Sequence, residues 1–375
     1  MKELTGLDPT TGRSLAITIG DGRITSMREG PAHESAYLAP GLIDLQINGY
    51  RGHDLNAETL HPQTVVDLAR EVARTGVTTF FPTLITQSED RLIAALQAIT
   101  EARREDSLTA SMIAGIHIEG PSISPQDGPR GAHPHEHIRP PSLAEFDRWQ
   151  AAAAGLVQLV TLSPHFPEAF GYIAALRNRG VFVSVGHTHC SAAEIHAAAG
   201  AGAQLSTHLG NGVAGHLPRH PNMLWAQLAD DRFTAMVIAD GHHLPDDTLR
   251  VILRAKGSER IILVSDLVAI GGLPPGRYQT PIGGDVELTP DGRLGLAGTP
   301  FLAGAALPLK DGIAHLVNAL DIPLGEALTL ATTNPGHFAG GRGHLAVGEP
   351  ADLLRFHLDQ TLHIDTVLVQ GEEIA

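Results

Sequence analysis

Basic residues are in short supply. Lysine and arginine number 26 against 41 aspartates and glutamates, a formal net charge of −15. That surplus repels a phosphate backbone and an anionic membrane surface, and no basic stripe offsets it, so nucleic acid and membrane are excluded as partners. Cysteine is scarcer still. Cys190 stands alone, which rules out an internal disulfide and fits a reducing compartment. Also missing are a run of about 18 uncharged apolar residues, any low-complexity tract, and a basic-then-apolar leader at Met1-Lys2-Glu3-Leu4-Thr5. A cytoplasmic protein is the expectation.

What remains is a compact globular composition, 43% hydrophobic and 18% charged over 375 residues. The length suits a barrel of roughly 250 residues with a modest accessory piece. From residue 42 onward, short apolar runs alternate with longer amphipathic ones. The expected strands are Leu42–Asn48, Thr78–Ile85, Ser111–Glu119, Leu156–Pro164, Val181–His187, Ala203–Leu209, Phe233–Asp240 and Arg260–Asp266. Between them, stretches such as Pro62–Thr75 and Ser88–Arg104 carry apolar residues three and four apart, the spacing of one buried helical face.

Eight such alternations predict an α/β fold, a parallel (β/α)8 TIM barrel, although strand count alone leaves a doubly wound open sheet as the alternative. Both ends read as strands. Leu15–Ile19 and Arg23–Met27 flank the turn Gly20-Asp21-Gly22, and the tail repeats the pattern at Ala351–Phe356 and Thr366–Gly371. A small β-sandwich domain built from residues 1–39 and 336–375 is expected beside a catalytic barrel at 40–335.

The strand ends carry the chemistry. Glu119, His187 and His208 close the third, fifth and sixth expected strands, and Asp240 and Asp266 close the last two. The C-terminal ends of barrel strands form the rim where such folds place their active sites. A carboxylate with two imidazoles is a common three-ligand zinc set that leaves a fourth position for water. Any one of these residues could equally cap a helix or hold a loop; their recurrence at one end of successive strands is the signal. Asp266 is the expected proton carrier beside such an ion.

In order and combination, Pro40–Asp44 with Gln46-Ile47-Asn48-Gly49, His117–Pro121, Arg130–His133, Gly186-His187-Thr188, Thr207-His208-Leu209 with Asn211, Ile238–Gly241 with His243, Val264-Ser265-Asp266 and Leu296–Thr299 resemble the N-acetylglucosamine-6-phosphate deacetylases of the amidohydrolase superfamily. The resemblance covers most of the chain. It implies that Glu119, His187 and His208 hold a catalytic divalent metal, zinc by preference, with Asp266 as general base and acid. It further implies that His133 orients and polarises the acyl carbonyl, with Ala132 beside it. Asn211, Gly212 and His243 would offer donors to the sugar phosphate. Arg219 would reach that phosphate from a neighbouring subunit, which requires a homodimer, and Leu296, Ala297 and Gly298 would line the sugar through backbone atoms.

Gln46 and Asn48 occupy the first-strand positions where many amidohydrolases have two histidines. Neutral amides are poor zinc ligands, so one metal is expected rather than two. The pocket departs from the family pattern at Gly210, at Gly212-Val213 and at His165. His189 lies two residues beyond His187 and would face the same side on an extended chain, whereas a turn after His187 would send it elsewhere. Cys190 is expected to be a small buried side chain, not a nucleophile. The expected reaction is hydrolysis of an N-acetyl amino sugar phosphate to acetate and the free amine. An amidohydrolase acting on another N-acyl or cyclic amide without phosphate, and a non-catalytic protein that keeps the barrel, are the alternatives.

Overall fold

The computed structural model describes residues 1–280 and 284–374. Eight parallel strands form the central sheet: β1 (Leu42–Ile47), β2 (Val77–Ile85), β3 (Ile116–Glu119), β4 (Val157–Leu162), β5 (Phe182–Val185), β6 (Leu205–Ser206), β7 (Thr234–Val237) and β8 (Ile261–Leu263). They pair in chain order. The first and last approach each other through a parallel bridge between Ile47 and Leu267, and the Asn48 amide donates to the Leu267 carbonyl at 2.8 Å. At the other end Leu330 and Ala331 fill the seam, accepting hydrogen bonds from Leu263 and Ile43. The sheet is therefore a nearly closed barrel and not an open, doubly wound one.

Helices follow the expected pattern. Pro62–Ala73 buries Val65, Val66, Leu68 and Val72, and Glu89–Glu105 begins at Ser88, whose hydroxyl caps the Arg91 amide. Most expected strands outrun the observed ones: the fifth to eighth end at Val185, Ser206, Val237 and Leu263, two or three residues early, and the third starts late. Ser111 and Met112 end a helix, Ser107–Met112, because the Asp106 carboxylate caps the Thr109 amide and pulls that segment into a helical turn. The third strand therefore starts at Ile116. Inside the barrel, an apolar layer of Ile43, Leu45, Phe81, Leu159, Leu205, Met236 and Ile262 is accompanied by a belt of hydrogen bonds. His117 Nε2 meets Thr161 Oγ1 at 2.7 Å, and Thr161 and Ser184 both meet Thr207 Oγ1, at 2.7 and 2.6 Å. Burial drives the His117 pKa down to about 4, so this belt is neutral.

Both chain ends join one further sheet of seven strands, in which Tyr37–Pro40 lies between Lys2–Leu7 and Leu353–Leu358. The expected hairpin is present as Ser14–Gly20 against Arg23–Glu29. Its turn residues Asp21 and Gly22 have φ of 50° and 74°, the sign that hairpin turns of this length favour. Ile17, Ile19, Ile24, Leu38, Leu353 and Leu368 form a core of their own here. A third, three-stranded sheet (Gly276–Thr280, Gly284–Leu288, Leu294–Leu296) packs on Val268 and Ile270, just beyond β8.

Asp44 fastens the barrel seam. Its carboxylate is fully buried and accepts the Gln46 amide at 3.2 Å and the Ser265 amide at 3.2 and 3.3 Å. Burial outweighs these bonds and pushes its pKa up to about 7, from 3.8. The folded protein thus holds a proton that the unfolded chain releases, so the stabilisation from this group is complete below the unfolded pKa and is lost as pH rises through about 7. Asp44→Asn should remove that slope. In urea unfolding of chelator-treated protein, the variant should gain on wild type between about pH 5 and about pH 8, by at most roughly 3 kcal/mol. Parallel profiles would show that Asp44 is ionised throughout.

Candidate active site

His187, His208 and Asp266 lie two or three positions past the ends of their strands, on the tight turns that leave the barrel. His187, His208 and Asp266 have φ of 47°, 28° and 53°, a left-handed backbone that side chains with a Cβ seldom adopt. These turns aim the three side chains inward, toward Glu119 at the end of β3. Glu119, His187 and His208 are 3%, 7% and 3% exposed, so whatever they bind is largely withdrawn from solvent.

Three donor atoms converge. His208 Nε2 lies 3.1 Å from Glu119 Oε1 and 3.0 Å from His187 Nε2, and His187 Nε2 lies 3.3 Å from Glu119 Oε1. Ligands about 2.0–2.1 Å from a tetrahedral zinc sit about 3.3 Å apart, so the spacing fits such an ion. The tautomer fits as well. His187 Nδ1 donates to the Pro129 carbonyl at 2.8 Å, leaving the Nε2 lone pair turned into the site. Glu119, His133 and His187 also bring donor atoms within 4.8 Å of one another, but His133 Nε2 is 3.9 Å from the other oxygen, Oε2. The tighter set is the better cage, and His133 stands beside it, its ring centroid 4.3 Å from that of His187.

Charge is arranged to match. Burial would raise the pKa of Glu119, yet hydrogen bonds and charge from His187 and His208 hold it well below the usual carboxylate range. Burial likewise opposes charge on His208, but the hydrogen bond and charge of Glu119 raise its pKa. Asp266 behaves in the opposite way. Burial, reinforced by the Glu119 charge, lifts it to about 6 against the pull of His208, His243 and Asn48. Burial lowers His133 to about 3, so its ring is neutral, and its Nδ1 lies 2.8 Å from Thr86 Oγ1.

Several partners have no counterpart in the sequence reading. Gln46 Nε2 donates to Glu119 Oε1 at 3.0 Å, and Asn48 Nδ2 donates to Asp266 Oδ1 at 2.8 Å. The two amides that are unsuited to binding zinc instead hold the two key carboxylates. Their own oxygens, with His208 Nδ1 and Asn211 Nδ2, are buried without a partner among the described residues. Gly131 and Gly212 lie on either side of His187. A Cβ at Gly212 would stand 2.9 Å from its Nδ1, and one at Gly131 would stand 3.3 Å from its Cε1. Only glycine at 212 lets the loop close this tightly on the imidazole.

The remaining expected residues divide. His243 Nδ1 lies 2.7 Å from Asp240 Oδ2, and that contact takes Asp240 down to about 2 in spite of its burial. Asn211 starts the turn after His208, its amide bonded to the His208 carbonyl. Ala132 is exposed next to Gly131. Leu296, Ala297 and Gly298 form the last turn of the three-stranded sheet, whose Asp291 carbonyl lies 3.0 Å from His242 Nε2 on the loop after β7. Arg219 is exposed on the loop before the helix Met223–Ala229 and has no partner among the described residues. His189 turns away to Ser124, at 2.6 Å, and to the His165 ring, at 4.6 Å. Cys190 is a buried thiol that burial pushes up to about 11.

A parallel barrel with this group at its C-terminal rim has the build of a barrel hydrolase with a metal cage. Sequence comparison carries this further: the chain belongs to the amidohydrolase family, whose profile matches residues 37–374. Its relatives there are deacetylases of amino sugar phosphates. The chain is 32% identical to the N-acetylglucosamine-6-phosphate deacetylase of Bacillus subtilis (strain 168), over 90% of this chain and 87% of that one. It is 30% identical to the N-acetylgalactosamine-6-phosphate deacetylase of Escherichia coli O157:H7, over 95% and 93%. Among solved structures, the N-acetyl-D-glucosamine-6-phosphate deacetylase of Mycobacterium smegmatis superposes with a TM-score of 0.88 at 29% identity, covering 99% and 98% of the two chains. Among the described residues, no helix is long and apolar enough to cross a membrane.

Proposed function

We propose that this protein is a cytoplasmic, zinc-dependent deacetylase of N-acetylglucosamine 6-phosphate or a closely related N-acetyl amino sugar phosphate. The observation that carries the reading is the convergence of Glu119, His187 and His208 within 3.3 Å beside a buried Asp266 held by Asn48. Those three residues would hold the ion. When bound, it supplies Lewis acidity, polarising a carbonyl and lowering the pKa of water.

The chain's own groups do the rest. Asp266 accepts a proton from the attacking water and returns it to the sugar nitrogen as the C–N bond breaks, giving acetate and the free amine. Asn48 fixes the carboxylate for both transfers. With the Thr86 hydroxyl donating to its Nδ1, neutral His133 carries its proton on Nε2 and donates it to the acyl oxygen. Asn211, with a free buried amide, Gly212 and His243 face the sugar phosphate, Ala132 flanks the acyl group, and Leu296, Ala297 and Gly298 border the sugar.

Arg219 completes the phosphate contacts from the partner subunit of a homodimer. Its exposure and lack of partners support this, as does Trp225, 52% exposed on the helix that follows. Acetate release from N-acetylglucosamine 6-phosphate, N-acetylgalactosamine 6-phosphate and their unphosphorylated forms, with zinc present, tests the reading; no release from any of them would refute it. Arg219→Ala should raise KM for the phosphorylated sugars about tenfold with kcat little changed, and leave the unphosphorylated ones unaffected. An equal effect on both would remove Arg219 from phosphate binding.

A further inference from the structure

A second site lies at the opposite end of the barrel. Where the strands begin, a cavity of about 280 Å³ opens between the barrel and the seven-stranded sheet, bordered by Ile43 and Thr79 from β1 and β2 and by Arg23, Arg342, Glu349 and Asp352. Barrel enzymes use the other rim for chemistry, so this space is not part of the site above. Its size is near the lower end of metabolite pockets, roughly 300–1,000 Å³.

Its lining carries both signs of charge. Arg342 is half-buried, and its Nη1 donates only to neutral partners, Thr79 Oγ1 at 3.0 Å and the Ser111 carbonyl at 2.7 Å. Arg23, exposed at the mouth, donates only to the Gly348 carbonyl, at 2.7 Å. Neither guanidinium has an ion-pair partner among the described residues, and each keeps further N–H groups free. On the acidic side, Asp352 Oδ1 takes the Gln370 amide at 2.7 Å, while burial raises its pKa against the charge of Arg342. Asp352 Oδ2 remains as an acceptor, as does the half-buried Glu349, whose Oε1 lies 3.8 Å from His344 Nε2.

Arg342 is also held in place. Gly341 donates to the Gly336 carbonyl at 2.8 Å, and Thr333 Oγ1 donates to the Gly343 carbonyl at 3.0 Å. At Gly343, φ is +85° and a Cβ would lie 2.3 Å from the Thr332 carbonyl, so the loop cannot carry a side chain there. A fixed guanidinium loses little freedom on binding. Guanidinium forks match phosphate oxygens in pairs, and carboxylates accept from hydroxyl donors. We propose that this cavity binds a sugar phosphate, its phosphate on Arg342 and Arg23 and its hydroxyls toward Asp352 and Glu349.

Hydrogen–deuterium exchange on the metal-loaded protein localises binding without relying on activity. Millimolar glucose 6-phosphate should slow exchange over residues 338–345 and 348–353. The protection should persist in Arg219→Ala and need about tenfold more ligand in Arg342→Met and in Arg23→Gln. Arg23 is exposed, so its variant should fold even if Arg342→Met does not. Glucose and inorganic phosphate, tested separately, should protect these segments far less. The proposal is overturned if glucose 6-phosphate gives no protection there, if Arg23→Gln responds as wild type does, or if inorganic phosphate alone protects equally.

Discussion

Asp266→Asn is expected to slow acetate release at least about a hundredfold while the protein keeps its full complement of metal. The substitution is nearly isosteric, and the amide oxygen can still accept the bond from Asn48 that fixes the aspartate at 2.8 Å. What it loses is the ability to take a proton. Burial and the Glu119 charge set Asp266 near 6, low enough to be ionised at neutral pH and high enough to hand the proton on. Product release quantified alongside metal content separates the roles. An unchanged rate would remove Asp266 from the mechanism, and lost metal would make it a ligand instead.

The second large effect is expected at Glu119. Its Oε1 is the shared vertex of the donor triangle, 3.1 Å from His208 and 3.3 Å from His187, and it is the only carboxylate of the three. A glutamine would occupy the same volume but bring no charge to neutralise a divalent ion in a buried site. Glu119→Gln should therefore purify with well under one metal per chain and lose activity by about a thousandfold or more. A chelator-treated sample should melt near chelator-treated wild type, which excludes misfolding as the cause. Full metal occupancy in the variant would move the ion to another set of ligands, of which Glu119, His133 and His187 would already have lost its carboxylate.

The barrel was legible because its pattern is local. Each strand and each helical face declares itself within a dozen residues, and the polar residues at or just past several strand ends are read off directly. The third strand was overextended because Ser111 and Met112 fit an apolar run, while the cap that claims them sits upstream at Asp106. The partners of the carboxylates were not legible. Asn48 meets Asp266 across 218 positions and Gln46 meets Glu119 across 73, and the residues were read only for their failure as zinc ligands. The closed barrel turns that failure into support, since β1 adjoins both β2 and the seam with β8. His189 could not be placed from spacing, because the left-handed turn at His187 that redirects it has no signature in the sequence. Arg219 has no partner among the described residues, so its role rests on resemblance alone.

Three positions that the proposed reaction needs, 187, 208 and 266, all take up a backbone shape that costs any residue but glycine about 1–3 kcal/mol. A laboratory selection for heat resistance alone, blind to turnover, should still not drift to glycine at 187 or 208, because each imidazole there offsets the buried Glu119 charge, and stranding that charge costs more than the backbone strain relieved.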